Sequence, residues 1–363
     1  MSTAVLLISL LVAGLSLAGA GDIGICLGRE GNDLPNPWEI VELYKSKGIK
    51  KMRIYYPDQQ VLQALRGSNI ELMLGVPNTD LQSLNDKGAA TRWVQSNVLN
   101  YYPAVNIKYV AVGNEVTPVN GNSRYAPFVV SAMTNIYDAI MAAGLWGQVK
   151  VSTSIDTGVM GTNYPPSAGS FRGDVLWFMN PVLGFLSDTQ APFLVSVYTY
   201  FGRSDNPGVI SSAYALFTKT SPEFYDQGLP YYNLFDAQLD GVYSAMERVL
   251  GASFNTMSNS TTLVPKLAGR RRPKVVVTET GWPKAGRRGR SRMLDGDENI
   301  DSACTYYQNV IRHVKKGTPK VPGEIETYLF AMFNENQKAA GIEQNFGLFY
   351  PNKSPACTIN FWE

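Results

Sequence analysis

Two glutamates, each placed at the end of an apolar run, are the residues best suited to chemistry in this chain. Glu279 lies in the stretch VVVTETGWP from Val275 to Pro283, and Glu115 ends the run IKYVAVGNE that starts at Ile107. Both runs are typical of strands buried on both faces, as in parallel sheets covered by helices. The carboxyl ends of such strands carry the chemistry of α/β folds. Two carboxylates facing each other there suit glycoside hydrolysis, in which one protonates the departing oxygen and the other meets the positive charge at the anomeric carbon.

Other common reactive groups are scarce. The only histidine, His313, lies in the helical context NVIRHVKK, so neither a Ser-His-Asp triad nor a multi-histidine metal site is expected. The three cysteines, Cys26, Cys304 and Cys357, are far apart and form no CxxC pair, which argues against a zinc site and allows one disulfide at most. The sequence therefore predicts no metal and no organic cofactor, and it leaves carboxylates as the reactive groups.

The elements that must position these glutamates alternate between apolar runs and helical stretches. The runs predicted as strands are Ile23–Gly28, Lys51–Tyr56, Ile70–Pro77, Ile107–Glu115, Val149–Asp156, Phe193–Phe201, Val275–Trp282 and Ile325–Glu335. Eight strand and helix units predict a closed (β/α)8 barrel, the TIM barrel, in a single domain. The alternative, an open doubly wound sheet, is disfavoured because the first strand leads into neither a GxGxxG motif nor a P-loop.

A barrel directs the ends of all its strands into one cleft. Strands four and seven would lie across the barrel mouth from each other, so Glu115 and Glu279 can face one another over a substrate. Burial and the neighbouring negative charge should keep one of them protonated, and hydrogen bonds should keep the other ionised. The remaining candidate binding residues at the strand ends are Tyr55, Asn114, Tyr198, Trp282, Glu326 and Glu335.

The N-terminus predicts export. Residues 1–20 carry no charged side chain, are apolar from Ala4 to Leu17 and finish Ala18-Gly19-Ala20, which is typical of a signal peptide. Residues 21–363 would then form the catalytic domain. Because the apolar run is too short for a comfortable membrane span, we expect a secreted monomer in the extracellular space or cell wall, without stable membrane association. The sequon at Asn259 is a candidate glycosylation site in a secreted protein.

The chain resembles a known family, the plant family 17 glycoside hydrolases, which are endo-β-1,3-glucanases. The resemblance is carried by IGIC, GNDLP, ELMLGVPN, YVAVGNEV, VSTSID, YPPSAGSFRGDV, VVVTETGWP, ETYLFAMFNENQK and FGLFYPN, and it runs from about Ile23 to Phe361. The pair VGNEV and TETGWP is highly specific when both occur together. Nearly the whole predicted mature chain is therefore covered.

The resemblance implies a (β/α)8 barrel that hydrolyses internal β-1,3 linkages of β-glucan with retention of configuration. Glu115 matches the family's proton donor and Glu279 its nucleophile, and in retaining enzymes the two carboxyl groups lie about 5 to 5.5 Å apart. Tyr55, Asn114, Tyr198, Glu326 and Glu335 match positions that line the family's cleft. Three alternatives stay open: a β-1,3-1,4-glucanase, a transglycosylase on the same fold, and a glucan-binding wall protein with impaired catalysis.

Two positions near strand ends depart from the family pattern. Leu27 stands where GxCYG usually has tyrosine, and Tyr56 stands where RIYDP often has aspartate. Either change could alter the affinity of a sugar subsite.

The largest departure is a concentration of positive charge around the seventh strand. Between Arg270 and Arg292 there are nine Lys or Arg and one acid, Glu279, which leaves 23 bases and 29 acids in the rest of the chain. GRRRPK would precede the strand at the far end of the barrel, and KAGRRGRSR would follow it beside the cleft. Such runs are usually solvated loops; the alternatives are contact with an acidic wall polymer or a cation that lowers the pKa of Glu279. Nucleic-acid binding is not expected, because no aromatic residues interleave with the arginines.

Overall fold

The predicted barrel is confirmed by a computed structural model that describes residues 23–251, 270–286 and 297–361. Its strands are β1 (Ile23–Leu27), β2 (Lys51–Ile54), β3 (Glu71–Val76), β4 (Asn106–Asn114), β5 (Lys150–Asp156), β6 (Phe193–Ser196), β7 (Val275–Thr280) and β8 (Thr327–Leu329). All neighbouring strands pair in parallel and in chain order, and β8 closes the barrel against β1. The order is the one expected when each helix returns the chain to start the next parallel strand.

Helices surround the barrel. They are α1 (Pro37–Ser46), α2 (Gln59–Ala64), α3 (Lys87–Val94), α4 (Ala126–Ala142), α5 (Leu176–Thr189), α6 (Thr199–Asp205), α7 (Ser212–Ala215), α8 (Leu234–Gly251) and α9 (Ile300–His313). The start of α1 shows how sequence sets a boundary. Asn36 caps the backbone N–H of Glu39, the Glu39 side chain accepts from the Asn36 backbone, and Pro37 occupies the first turn, where no donor is needed.

Most strands end within two residues of their predicted bounds, but two are much shorter than predicted. The sixth strand ends at Ser196, and Thr199 already begins α6, although FLVSVYTYF reads as one β-branched and aromatic run. The eighth strand contains only Thr327–Leu329. Beyond it, the Phe330 and Met332 N–H groups still donate to Thr280 of β7 and Cys26 of β1, but the Ala331 N–H between them donates to the Phe346 carbonyl, so the regular ladder is interrupted. Both runs are apolar because their residues are buried, and burial continues after regular pairing stops.

The amino end of the barrel is closed by a buried ion network around Glu326. This carboxylate accepts hydrogen bonds from Tyr109 and Tyr328 and forms ion pairs with Lys108 at 3.1 Å and Lys51 at 3.5 Å. Glu326 immediately precedes β8, so it lies at the opposite end of the barrel from the strand tips. Its prediction as a cleft residue is therefore wrong: the side chain pairs with lysines near the starts of β2 and β4.

The cysteines form one disulfide, between Cys304 of α9 and Cys357 near the C-terminus, and Cys26 is a free, buried thiol in β1. One bridge is the number that the sequence allowed. None of the helices in the described part of the chain is long and apolar enough to cross a bilayer. The predicted signal peptide at residues 1–20, the sequon at Asn259 and the basic run after Gly286 lie outside the described residues. The division into leader and catalytic domain stays a prediction.

Candidate active site

A cleft of about 880 Å³ crosses the barrel at the carboxyl ends of its strands. Arg29 and Tyr56, from the ends of β1 and β2, line one side, and Asn163 and Asp205 line the other, following β5 and β6. Because β1 and β2 stand opposite β5 and β6 in an eight-stranded barrel, the cleft extends over the whole mouth. Both Glu115 and Glu279 line it, as the sequence predicts.

Glu279 is held by three side chains at the floor of the cleft. Its Oε1 accepts from Arg53 Nη1 and from the Tyr55 hydroxyl, each at 2.8 Å, and its Oε2 accepts from the Tyr198 hydroxyl at 2.8 Å. The residue is only 5% exposed. These donors suit an ionised carboxylate, because a carboxylate accepts hydrogen bonds and pairs with a guanidinium. Two of the three, Tyr55 and Tyr198, were predicted from their positions at strand ends.

Arg53 is a site residue that the sequence analysis missed. It lies in the middle of β2, is 2% exposed, and donates to Glu279, to the Thr278 carbonyl at 2.9 Å and to Asn114 Oδ1 at 2.6 Å. One guanidinium thus connects the end of β7 with the end of β4. A signal was present: an arginine inside a predicted strand of a closed barrel needs a polar partner where it is buried.

Glu115 is placed by an irregular end of β4. The pairing of β4 with β5 shifts register between Ala111 and Asn114, and Gly113 and Glu115 both have positive φ, 83° and 49°. The Glu115 N–H donates to the Ser154 carbonyl at 2.9 Å, which holds this turn. Positive φ costs free energy for a residue with a side chain, and such strain concentrates at functional sites. Glu115 lines the cleft from this bend, whereas in a regular strand successive side chains would point to alternate faces.

Asparagine side chains fix the backbone around Glu115. Asn78 accepts from the Asn114 N–H at 2.7 Å and donates to the Asn114 carbonyl at 3.0 Å. Asn120 and Asn122 both donate to the Glu115 carbonyl, at 2.6 and 3.2 Å. Since the groups left unpaired by the bend are satisfied in this way, the strained turn is rigid.

The carboxyl group of Glu115 has a different environment from that of Glu279. Burial raises its pKa to about 8, and the negative charges of Glu279 and Asp156 act in the same direction. The neighbouring Ser196 hydroxyl and the positive charge of Arg53 oppose this shift only in part. A group with this pKa is mostly protonated at neutral pH, which a general acid requires.

Asn114 and Glu335 also line the cleft, as predicted, but differ in which of their polar atoms are already bonded. The Oδ1 atom of Asn114 accepts from Arg53, so Nδ2 is the part of this amide left to bind a ligand. Both oxygens of Glu335 are already occupied: one accepts from the Glu30 N–H at 2.8 Å, and the other pairs with Lys338 at 2.9 Å. Glu335 therefore connects the loop after β1 to the loop after β8.

Trp282 does not reach the cleft. It is 0% exposed, its Nε1 donates to the Asp297 carbonyl at 2.7 Å, and its ring packs on Tyr200 and Tyr306. The prediction that it binds substrate is wrong, because the indole is buried in the layer between the barrel and the helices. The aromatic rings that do line the cleft include Phe201, Phe330, Phe346 and the 42% exposed Tyr56.

Lys284 is the described cation that follows β7. It is buried, and its ammonium group donates to Asn334 Oδ1 and to the Gly347 carbonyl at 2.5 Å. Burial lowers its pKa to about 8. Lys284 thus ties the loop after β7 to the segment after β8. Among the described residues, the cation that contacts Glu279 is Arg53 and not a member of the basic run.

No metal site is evident within the described ranges, where no group of three or more His, Cys, Asp or Glu side chains is arranged to hold an ion. The expectation that the chain needs neither metal nor cofactor stays a prediction.

Replacing Arg53 with methionine should lower kcat/KM about 10²- to 10³-fold, because Glu279 and Asn114 lose the group that positions them. The unpaired, buried Glu279 should also destabilise the fold by roughly 3 to 5 kcal/mol. Methionine has a similar length but cannot pair with Glu279 or hold Asn114. Steady-state kinetics on a soluble glucan would measure the loss, with circular dichroism to confirm folding. Arg53→Lys is the control, because lysine keeps the positive charge but lacks the planar guanidinium that contacts both Glu279 and Asn114. A loss below tenfold in Arg53→Met would contradict the positioning role of Arg53.

Comparisons with known proteins give a consistent result. The family described as Glycosyl hydrolases family 17 matches residues 23–361. The chain is 48% identical to the basic vacuolar isoform GLB of glucan endo-1,3-beta-glucosidase from Nicotiana tabacum, over 99% of this chain and 91% of that protein. It is 46% identical to a glucan endo-1,3-beta-glucosidase from Vitis vinifera, over 98% of this chain and 96% of that protein.

Solved structures show the same similarity. CJP38, a beta-1,3-glucanase and pollen allergen of Cryptomeria japonica, superposes with a TM-score of 0.83 at 41% identity, covering 93% of this chain and 98% of the other. A plant beta-glucan endohydrolase superposes with a TM-score of 0.81 at 42% identity, covering 93% and 99%. The family match spans all the described residues, and the chain therefore belongs to family 17 of the glycosyl hydrolases.

Proposed function

We propose that this chain is an endo-β-1,3-glucanase that cleaves internal linkages of β-glucan with retention of configuration. As a family member it is a glycoside hydrolase. The observation that carries the finer assignment is the contrast between its two cleft carboxyl groups. Glu279 accepts hydrogen bonds from Arg53, Tyr55 and Tyr198, while burial raises the pKa of Glu115 to about 8. The β-1,3 linkage is proposed because it appears in the names of the similar plant enzymes.

The first step forms a covalent intermediate. Glu115 donates its proton to the glycosidic oxygen while a carboxylate oxygen of Glu279 attacks the anomeric carbon, so that the bond to the leaving sugar breaks. The electron pair of that bond goes to the departing oxygen, which leaves as a hydroxyl group. Tyr55 and Tyr198 orient the two Glu279 oxygens through their hydrogen bonds. Asn114 Nδ2 is placed to donate to a hydroxyl group of the bound sugar.

The second step releases the sugar. Glu115, now ionised, accepts a proton from water as the water oxygen attacks the anomeric carbon and Glu279 departs as a carboxylate. Two inversions give net retention. With this proton Glu115 is again the protonated acid, the form that its raised pKa favours at neutral pH.

The endo mode follows from the shape of the cleft. Its volume of about 880 Å³ spans the barrel mouth from the β1 and β2 side to the β5 and β6 side. A polymer can lie across such a cleft with sugars on both sides of the carboxylate pair, so internal bonds are accessible. The aromatic rings of Tyr56, Phe201 and Phe346 offer apolar surfaces for sugar faces along this path.

We further propose that the protein is secreted to the extracellular space or cell wall, on the strength of the leader-like residues 1–20. Action as a monomer also stays a prediction. Fusing residues 1–20 to a reporter protein tests export: secretion of the intact reporter with its leader removed supports the proposal, and retention in the cell contradicts it.

Hydrolysis of laminarin, compared with hydrolysis of mixed-linkage β-1,3-1,4-glucan, tests the function. We expect a rapid fall in viscosity with short β-1,3 oligosaccharides as products, and NMR of the first products should show the β anomer. Preference for the mixed-linkage polymer would indicate a β-1,3-1,4-glucanase. Products longer than the substrate would indicate transglycosylation. Binding without turnover would indicate an impaired glucan-binding protein.

A further inference from the structure

A second concave surface lies at the amino end of the barrel, opposite the cleft. We name it the basic groove and define it by Ser187, Gln190, Tyr243, Arg271, Arg272 and Lys274, which line a volume of about 410 Å³. Lys274 directly precedes β7, and its carbonyl accepts from the N–H of Phe193, the first residue of β6. The groove therefore opens where β6 and β7 begin, and the barrel separates it from Glu115 and Glu279.

Positive charge exceeds negative charge around the basic groove. Arg270 pairs with Asp188 at 2.8 Å, and Glu247 pairs with both Arg272 at 2.5 Å and Lys320 at 2.9 Å. Two acids are thus already engaged by three cations. Arg271 and Lys274 are exposed, and no acid within the described ranges pairs with either. These two charges are available to a ligand.

The backbone that carries these cations is fixed. Ser187 Oγ donates to the Arg271 carbonyl at 2.7 Å, and Pro273 is buried. The Arg272 guanidinium lies over the Tyr243 ring, 4.7 Å from its centroid. Little backbone order must therefore be gained when an anion binds, which favours binding.

We propose that the basic groove binds an acidic polysaccharide, a polyuronide, through its carboxylates. The planar guanidinium of Arg271 matches a carboxylate in a bidentate geometry, and Lys274 adds a second point charge beside it. Gln190, exposed at the rim, supplies an amide that can bond sugar hydroxyls. The groove would hold the enzyme on a charged matrix while the neutral glucan occupies the cleft on the other face.

The groove fits nucleic acid and membranes less well. Tyr243 is only 4% exposed and is covered by Arg272, so among the described lining residues no aromatic ring is available for base stacking. A membrane surface is recognised by a cluster of several lysines or arginines, whereas here two available cations lie in a concave site. The proposal does not depend on which glucan the cleft cleaves.

Binding of full-length protein to immobilised polygalacturonate at low salt tests the proposal. Arg271→Gln with Lys274→Gln should raise Kd about tenfold, since two direct charge contacts are lost. The matched control, Lys87→Gln with Arg92→Gln, removes two exposed positive charges from α3 and should change Kd less than about twofold. Hydrolysis of soluble laminarin should be unchanged in both variants, which shows that they fold. Lys274→Gln alone removes one of the two charges and should raise Kd by less than the double substitution.

Three results would overturn the proposal. Failure of the wild-type protein to bind polygalacturonate would show that the groove is not a polyuronide site. Equal weakening of binding in the groove and control variants would show that only general surface charge is involved. Tighter binding to single-stranded DNA or to phosphatidylserine vesicles than to polygalacturonate would assign it to another class of ligand.

Discussion

Glu279→Gln is expected to abolish glucan hydrolysis, with kcat reduced roughly 10⁴-fold or more, as when other enzymes lose a nucleophile. The amide has nearly the shape of the carboxylate but cannot form the glycosyl ester. Binding of laminarin should survive, because the rest of the cleft is intact. Steady-state kinetics and isothermal titration calorimetry with the same oligosaccharide measure the two effects separately. A variant that keeps the wild-type rate would remove Glu279 from the nucleophile role.

Azide provides the matched control for stereochemistry. In Glu279→Ala a small anion can enter the vacated space and attack the anomeric carbon directly, while Glu115 still protonates the leaving oxygen. The product should then be the α-glycosyl azide, formed by a single inversion. A β-glycosyl azide from this variant would contradict the assignment, because it would require a second carboxylate to act first.

Glu115→Ala should lower kcat/KM on laminarin about 10²- to 10⁴-fold, the usual contribution of general acid and base catalysis. An aryl β-laminaribioside with a dinitrophenolate leaving group needs no protonation, so its glycosylation step should be nearly unaffected. Azide should rescue turnover of that substrate and give the β-glycosyl azide, by attack on the Glu279 ester. A pre-steady-state burst of about one equivalent of dinitrophenolate, followed by a slow steady state, would separate formation of the Glu279 ester from its hydrolysis.

The pH profile adds a separate test of Glu115. Because its pKa is about 8 and the acid must be protonated to react, wild-type kcat/KM on laminarin should fall as pH rises above about 8. That fall should be absent from Glu115→Ala acting on the dinitrophenyl substrate. If the variant keeps the same alkaline fall, another group sets it and Glu115 is not the acid.

The sequence predicted the barrel because each strand carries a strong local signal. Runs such as VVVTET and IKYVAVGNE end at the cleft in the structure, and Tyr55 and Tyr198 bond to Glu279. The two incorrect site predictions have different causes, the strand end at which a residue lies and the direction of its side chain. Glu326 lies at the wrong end of its strand, and Trp282 faces away from the cleft.

The parts of the site that the sequence did not reveal depend on long-range contacts. Arg53 contacts Glu279 and Asn114, which are 226 and 61 positions away along the chain, and a local pattern cannot indicate such a pairing. The positive φ of Glu115 depends on a register shift between β4 and β5 and on asparagines in neighbouring loops. The roles given to the cleft residues stay predictions until these variants are made.

The buried acid also links folding to proton uptake. Below the ordinary glutamate pKa of about 4.3 both states hold the proton at residue 115, but between that pH and about 8 the native protein keeps a proton that the unfolded chain releases. The free energy of unfolding contributed by this group therefore declines as the medium becomes more alkaline through that window. Acidic surroundings, in which residue 115 is protonated in both states, remove this one contribution to the pH dependence of stability.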